Sequence, residues 1–444
     1  MTLRNGSKAT LGRFLAVVTG LIFLGSCGGS SSSSSTTTTP ATSNTAPMTV
    51  GFGALGPSGG YVNGIWTTVT ICVPNTTSCQ TVDNVLVDTG SYGLRILDSA
   101  LTTVPASSLG AITDNSGNQL QECVQYGDTS YTWGPMMLAD VELAGEKASS
   151  VAIQVIGGNS FGVPSSCIAT PINPNLPNGG NDDTLETLGA NGILGIGGYA
   201  WDCGPYCESA ATGDPYYLCP SGQCGQVGVS LQHQATNPVA AFSSADNNGV
   251  LLTLPSISAT GAADGTVSGS LGFGIGTQTN NALASSATVY GVDANGNIPE
   301  ATYNGVQYTS PNNTIILDTG SNTFRFLDAS TLASSGIIEC ADASGFYCPS
   351  SAVPFSVTFS GANSTSGTVS FSIANADTLF KTGYAAFNDI GGDGGTSPSN
   401  DDLDFGLPFF FGRTVYVGMM PGLLSNETAP PSAASSATYG YYAF

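Results

Sequence analysis

One acidic motif occurs twice in the sequence, and in each copy the acid has the surroundings of a reactive group. The first copy reads Val85-Leu86-Val87-Asp88-Thr89-Gly90-Ser91, and the second reads Ile315-Ile316-Leu317-Asp318-Thr319-Gly320-Ser321. The similarity continues to Asp98 and Asp328, and seven of the 14 aligned positions are identical. In each copy an aspartate therefore follows three apolar residues and precedes a glycine that allows a sharp turn.

Two carboxyl groups held a few ångström apart form a general acid–base pair. They cannot both ionise at that distance, so they share one proton and titrate as a unit. The charged member can remove a proton from water while the protonated member donates to a carbonyl oxygen. This chemistry adds water to a peptide bond, and it needs no metal, no cofactor and no covalent intermediate. Asp88 and Asp318 are the predicted pair.

The neighbours of each aspartate have predicted supporting roles. The glycine brings backbone N–H groups close to the acid. The threonine is predicted to hydrogen-bond across to the opposite loop, and the serine to donate to an outer carboxylate oxygen. These residues are Thr89, Gly90 and Ser91 in the first copy and Thr319, Gly320 and Ser321 in the second.

Strands are predicted to position the two acids. Only 9% of the 444 residues are charged, and 59 are glycine, which is typical of a turn-rich all-β protein. Apolar residues show no sustained 3.6-residue period, and short helices are predicted only within Ser99–Leu109 and Ala374–Lys381. The repeated motif predicts two similar lobes, at residues 48–240 and 241–424, each supplying one aspartate. Residues 425–444 form a tail without a firm interpretation.

Charge and histidine content exclude several functions. The net charge is −22, with only eight lysine and arginine residues, so nucleic acid is not an expected partner. The single histidine, His233, would have to serve any Ser-His-Asp or zinc-hydrolase site. Its polar surroundings predict an ordinary surface residue.

The N-terminus has the pattern of an export signal. A basic segment precedes the apolar run Leu15–Leu24, which is too short to span a membrane comfortably. Leu24-Gly25-Ser26-Cys27 resembles a bacterial lipoprotein cleavage site, which predicts a signal peptide at 1–26 and lipidation of Cys27; the alternative is an ordinary signal peptide. Residues 27–47 would be a flexible tether. The predicted location is the cell envelope. Gly28 favours the outer membrane, and both its periplasmic side and its outer surface are open alternatives.

Removing Cys27 leaves ten of the 11 cysteines, an even number suited to an oxidising compartment. Proximity in the sequence predicts the bridges Cys72–Cys79 and Cys340–Cys348, and Cys123 and Cys167 remain for each other. The four cysteines of one loop are predicted to nest as Cys203–Cys224 and Cys207–Cys219. A zinc site is the less favoured alternative for that loop, because the spacings differ from the usual ones.

In these motifs and their order, the chain resembles the pepsin-like aspartic endopeptidases, in a bacterial lipoprotein version. Further similar stretches are Tyr126–Ser130 with Leu138–Leu143, Gly192–Ile196, and Phe405–Phe409 with Arg413–Tyr416. The resemblance implies a bilobal fold of two pseudo-symmetric β-barrel-like lobes with a cleft between them. It also implies a monomer that takes a polypeptide substrate, with Asp88 and Asp318 as catalytic residues. A flap carrying Tyr126, Gly127 and Asp128 would cover the substrate.

The chain departs from the family where an aromatic residue is common after the first motif, because Leu94-Arg95 stand there. Arg95 and Arg325 are predicted to pair with Asp98 and Asp328. The alternative is that an arginine lies near the acids and depresses their pKa. The alternative function is a catalytically silent, protease-like lipoprotein that binds peptides or envelope components.

Overall fold

The protein is an all-β molecule, as predicted from its composition. The computed structural model describes residues 44–59, 61–158, 161–168, 180–209, 215–326, 332, 335–393, 403–420 and 440–444. In the strand Val353–Ser360, Phe355, Val357 and Phe359 are buried while the residues between them are more exposed. This two-residue alternation is expected where one face of a sheet packs on a core.

The described residues contain 24 strands. In chain order they are β1 (Thr45–Gly51), β2 (Gly64–Cys72), β3 (Cys79–Asp88), β4 (Tyr92–Leu97), β5 (Gly110–Ala111), β6 (Leu120–Gln125), β7 (Tyr131–Leu143), β8 (Glu146–Ile156), β9 (Gly192–Ile196), β10 (Tyr216–Leu218), β11 (Gly225–Gln226), β12 (Gly249–Thr253), β13 (Val267–Phe273), β14 (Val289–Gly291), β15 (Glu300–Tyr303), β16 (Val306–Thr309), β17 (Ile315–Leu317), β18 (Phe324–Phe326), β19 (Val353–Ser360), β20 (Ser366–Ile373), β21 (Gly391–Gly392), β22 (Leu403–Phe405), β23 (Thr414–Gly418) and β24 (Tyr441–Ala443).

Sixteen of these strands form one sheet. Its order is β11-β10-β6-β7-β8-β4-β9-β3-β2-β1-β13-β12-β23-β24-β14, with β5 added beside β7. Because β7 also pairs with β2, this end of the sheet curls back on itself. The remaining strands form two four-stranded sheets with the orders β16-β15-β19-β20 and β17-β22-β18-β21.

Helices in the described residues are short, with at most seven residues. The two α-helical turns are α1 (Leu185–Leu188) and α2 (Ala376–Phe380), and the side chains of Thr184 and Asn375 cap them. The 3-10 turns are Gly53–Gly59, Asp98–Ala100, Ala106–Ser108, Gly204–Glu208, Pro220–Gly222, Leu231–His233, Pro238–Ala241 and Leu407–Phe410. In the part of the chain that the structure describes, no helix has the length and apolar character needed to cross a membrane.

The two motif copies enter the same arrangement of strands. In the first, β3 is parallel to β9, β9 is antiparallel to β4, and β4 is parallel to β8. In the second, β17 is parallel to β22, β22 is antiparallel to β18, and β18 is parallel to β21. Leu86 pairs with Ile193 in the first unit, and Ile316 pairs with Asp404 in the second. Ile193 and Asp404 therefore occupy corresponding positions.

Strand β1 connects the sequence-distant parts of the large sheet. It begins at Thr45, three residues before the predicted boundary at 48, and lies between β2 and β13. Its pairs with β13 run from Thr45–Gly272 to Val50–Val267. At the other end of the chain, part of the predicted tail is strand β24, which pairs with both β14 and β23. The end of the sequence thus belongs to the sheet.

Three of the five predicted disulfides are present, namely Cys72–Cys79, Cys123–Cys167 and Cys340–Cys348. The nested pairs Cys203–Cys224 and Cys207–Cys219 are wrong. The bridges are Cys203–Cys207 and Cys219–Cys224. Strands β10 and β11 form an antiparallel pair in which Leu218 faces Gly225, and this places the two flanking cysteines side by side. The other bridge closes the 3-10 turn at Gly204–Glu208.

Candidate active site

Each motif aspartate stands at the end of a buried apolar strand. Val85 and Val87 of β3 are fully buried, and Asp88 is the last residue of that strand, opposite Gly195 of β9. Asp318 directly follows β17, and its N–H donates to the carbonyl oxygen of Phe405 at 3.1 Å. Neighbouring strands hold both strand ends, so each carboxyl group has a fixed position.

The structure brings the two carboxyl groups together. The N–H of Gly90 donates to Asp88 Oδ1 at 2.9 Å and to Asp318 Oδ1 at 3.0 Å. The N–H of Gly320 donates to Asp318 Oδ1 at 2.7 Å. A Cβ on Gly90 would lie 2.4 Å from Asp318 Cγ, and one on Gly320 would lie 2.5 Å from Asp88 Oδ1. Glycine is therefore required at both positions, because any side chain would push the acids apart.

The serine of each copy contacts the outer oxygen of its own aspartate, as predicted. Ser91 Oγ donates to Asp88 Oδ2 at 2.5 Å, and Ser321 Oγ lies 2.9 Å from Asp318 Oδ2. Together with the glycine N–H groups, these hydroxyls hold both oxygens of each carboxyl group in place.

The two threonines tie the loops to each other. Thr89 Oγ1 donates to the carbonyl oxygen of Leu317 at 2.8 Å and accepts from the N–H of Thr319 at 3.0 Å. Thr319 Oγ1 donates to the carbonyl oxygen of Val87 at 2.7 Å and accepts from the N–H of Thr89 at 3.1 Å. All four bonds are buried and join residues about 230 positions apart, so neither loop keeps this geometry without the other.

The electrostatics of the pair are those of two acids with one proton. Burial raises the pKa of Asp88 from 3.8 to about 8, and the charge of Asp318 and the hydrogen bond to it contribute to this increase. The hydrogen bonds from Ser91 and Gly90 lower the pKa but do not cancel the increase. Asp88 is 7% exposed, whereas Asp318 is half-buried and Gly90 is exposed. The less exposed acid therefore keeps the proton, and solvent reaches the site from the side of Asp318 and Gly90.

Strands β6 and β7 form a hairpin whose turn is the predicted flap segment 126–130. The N–H of Tyr126 donates to the carbonyl oxygen of Ser130 at 2.9 Å, and Asp128 Oδ1 accepts from both the N–H and the hydroxyl of Ser130. Gly127 is exposed. Tyr126 packs against an apolar cluster that includes Leu86, two residues before Asp88. Burial raises the pKa of the Tyr126 hydroxyl, and the charge of Asp88 adds to the increase.

Arg95 does not pair with Asp98, so that prediction is wrong. Its side chain is 1% exposed and forms ion pairs with Glu122 at 2.8 Å and with Asp202 at 3.3 Å. Asp98 lies beyond the end of β4 and is exposed. A buried guanidinium needs partners that are buried with it, which the fold supplies from β6 and from the loop after β9. The predicted partner of Arg325, Asp328, lies outside the described residues, as does Cys27.

A third acid lies at the site and was not predicted from the sequence. Asp404 of β22 is 7% exposed, and its Oδ2 forms a hydrogen bond with Ser321 Oγ. Burial, and then the charge of Asp318, raise the pKa of Asp404 well above its usual range. One signal could have revealed it. Aligning the segment before Gly406 with that before Gly195 places an acid where the first unit has Ile193.

In the part of the chain that the structure describes, metal-binding side chains are not grouped around the acids. Among the described residues, the grouping with suitable spacing is Cys340, Cys348 and Asp377. Its cysteines form a disulfide, and only a thiolate can bind a metal strongly.

The site thus defines an all-β protein with paired, proton-sharing aspartates on twin loops. The chain belongs to the family described as protein of unknown function (DUF3443), which matches residues 40–434. No curated protein matches the chain. Among solved structures, that of an aspartic proteinase from Irpex lacteus is similar, with a TM-score of 0.46 and 14% sequence identity. The match covers 90% of this chain and 96% of that one.

Proposed function

We propose that this protein is an aspartic endopeptidase, a hydrolase that cleaves peptide bonds with Asp88 and Asp318. The observation that carries the proposal is the Gly90 N–H, which donates to the inner oxygens of both carboxyl groups. Two acids aimed at one donor, with one of them holding its proton, form the acid–base pair that water activation requires. A turn with a purely structural role would not need a second carboxyl group that accepts from the same N–H.

In the proposed reaction a water molecule lies on the solvent side of the two carboxyl groups, within hydrogen-bonding reach of both. Asp318 removes a proton from this water as its oxygen attacks the carbonyl carbon, and Asp88 donates its proton to the carbonyl oxygen. The resulting tetrahedral intermediate breaks at the C–N bond. Asp318 then delivers its proton to the departing amine, and a hydroxyl of the intermediate returns a proton to Asp88. Both acids end in their starting states.

The proposed substrate is an extended polypeptide between two β-barrel-like lobes, residues 48–240 and 241–424. Its backbone would add as a strand along the flap hairpin of β6 and β7. Tyr126, Gly127 and Asp128 stand at the tip of this hairpin and would exclude water from the bound peptide. The buried threonine bonds support this arrangement, because they hold one acid from each lobe in a fixed position within a single monomer.

The proposed function is tested by digesting an unfolded protein with the purified chain from about pH 3 to about pH 7. We expect cleavage that persists toward neutral pH, because Asp88 holds its proton up to about 8. Asp88→Asn and Asp318→Asn should each abolish it. Asp83→Asn is the matched control, since Asp83 is an exposed acid of the same strand β3. Equal cleavage by the wild type and both site variants would refute the proposal.

No cleavage at any pH, together with retained binding of the unfolded protein, would instead favour a silent peptide-binding lipoprotein.

We also propose that the protein is exported and anchored in the outer membrane through lipid on Cys27. The sequence around Cys27 supports this proposal. Labelling of the wild type with a radioactive fatty acid, and loss of the label in Cys27→Ser, are expected.

A further inference from the structure

The strand beside the second motif carries a carboxyl group at a position where the strand beside the first motif carries an apolar residue. Asp404 on β22 and Ile193 on β9 hold corresponding positions beside the two motif strands. In the first unit, Ser91 donates to the carboxyl group of Asp88. In the second unit, Ser321 contacts two carboxyl groups, those of Asp318 and Asp404. The two units therefore differ at this position, because Asp404 competes with Asp318 for the hydroxyl of Ser321.

Counting hydrogens limits the protonation states of this group. The Ser321 hydroxyl has a single hydrogen, so it can donate to one of its two carboxyl partners. The other contact is a hydrogen bond only if that carboxyl group is itself protonated and donates to the Ser321 oxygen. Asp404 is 7% exposed, and its Oδ1 is buried with no hydrogen-bond partner among the described residues, so an ionised Asp404 would leave a charge poorly solvated. The proton therefore belongs on Asp404.

Charged and titratable groups act on Asp404 from three elements. Asp318 follows β17, Arg325 faces Asp404 across the β18–β22 ladder, and Tyr442 lies on β24. Arg325 favours the ionised form of Asp404, whereas burial and Asp318 oppose it more strongly, so the pKa of Asp404 is raised overall. Tyr442 is buried, and burial raises the pKa of its hydroxyl, so it stays neutral beside Asp404.

We propose that Asp404 is a positioning residue that switches the acid pair with pH, by donating to Ser321 when protonated and withdrawing the Ser321 hydroxyl when ionised. In the protonated state, Ser321 donates to Asp318 and stabilises it as the charged member of the pair. When Asp404 loses its proton to solvent, it becomes the stronger acceptor, and the Ser321 hydrogen turns away from Asp318. Asp318 then loses a donor and gains a negative neighbour, and both effects disfavour its charged form.

This inference rests on the proposed function for its effect on rate, but not for the proton on Asp404. Asp404→Ile gives β22 the residue that β9 has at the corresponding position, and Asp404→Asn removes the titration with little change in size. Thermal unfolding first establishes which variants fold. Infrared difference spectra then report protonated carboxyl groups directly. At neutral pH we expect both variants to lack one protonated-carboxyl band that the wild type shows, and the exposed control Asp83→Asn to retain it.

The rate test is the alkaline limb of cleavage. For the wild type we expect a fall steeper than the tenfold per pH unit that loss of one proton produces. For Asp404→Ile we expect the one-proton slope, with its midpoint higher by about one pH unit. An unchanged band pattern, or the same slope and midpoint in the wild type and the Asp404 variants, would overturn the proposal. Absence of cleavage in every protein would refute the proposed function while the infrared result still decides where the proton lies.

Discussion

Replacing Asp88 by asparagine should make the folded protein more resistant to alkaline pH, although it removes a proposed catalytic group. Asp88 keeps its proton in the folded state up to about pH 8, whereas the unfolded chain loses it near 3.8. Between these values the folded state binds more protons than the unfolded one, so its stability falls as pH rises. The loss is complete above about pH 8, and stability is greatest at acid pH. The amide introduced by Asp88→Asn does not titrate, so the variant lacks this loss.

The size of this effect follows from the raised pKa. At about 1.4 kcal/mol for each pKa unit, a rise from 3.8 to about 8 corresponds to about 6 kcal/mol. This is an upper value, because Asp88 shares its proton with Asp318 and the pair relaxes when the proton leaves. Half of it, about 3 kcal/mol, is a reasonable lower value for a site that solvent reaches through Asp318. Either value is a large fraction of a typical folding free energy of about 5–15 kcal/mol.

The assay is thermal unfolding of the wild type and Asp88→Asn at a series of pH values from about 4 to about 8. We expect the difference in unfolding free energy between the two proteins to move by about 3–6 kcal/mol in favour of the variant across this range. Taking this difference cancels the other buried acids, Asp404 and Asp202, which both proteins share. Asp83→Asn should follow the wild-type curve. Parallel curves for the wild type and Asp88→Asn would refute the reasoning.

Three further predictions concern what holds the site in place. Thr89→Val leaves a buried carbonyl and a buried N–H without partners, so we expect a loss of about 2–4 kcal/mol in unfolding free energy and no cleavage, while the exposed control Thr368→Val changes little. Arg95→Met leaves two buried acids without their buried cation, and thermal unfolding should show a loss of about 3–5 kcal/mol in unfolding free energy. Replacing Cys123–Cys167 by alanines should cost about 1.6 kcal/mol more than replacing Cys72–Cys79, because the loops span 44 and 7 residues. Equal losses for the two bridges, or a Thr89→Val variant as stable as Thr368→Val, would contradict these predictions.

The acid pair was predictable because its constraints are local and repeated. Three apolar residues predict a buried strand end, and the glycine at Gly90 or Gly320 allows two backbones to approach. The second copy of the motif then predicts that each acid loop contacts the other. Even the threonine bonds to the opposite loop followed from the repeat, since a hydroxyl beside each acid must be satisfied by something equally buried.

Features that depend on packing between distant segments were not predictable. The bridge Cys219–Cys224 depends on the β10–β11 pairing, which strands of three and two residues indicate only weakly. The partners of Arg95 come from segments 27 and 107 residues away, and no spacing rule connects them. Strand β24 ends a segment rich in alanine and serine, so its pairing with β14 and β23 has no periodic signal in the sequence.

Strand β1 has a mechanical consequence, because it lies inside the sheet with hydrogen-bonded neighbours on both sides. A force applied through the residues that precede Thr45 pulls along this strand, and its bonds to β2 and β13 must give way together. A strand at an edge could instead be peeled away one bond at a time. Attachment to a surface, a bead or a fusion partner through this end should therefore leave the paired acids undisturbed under load.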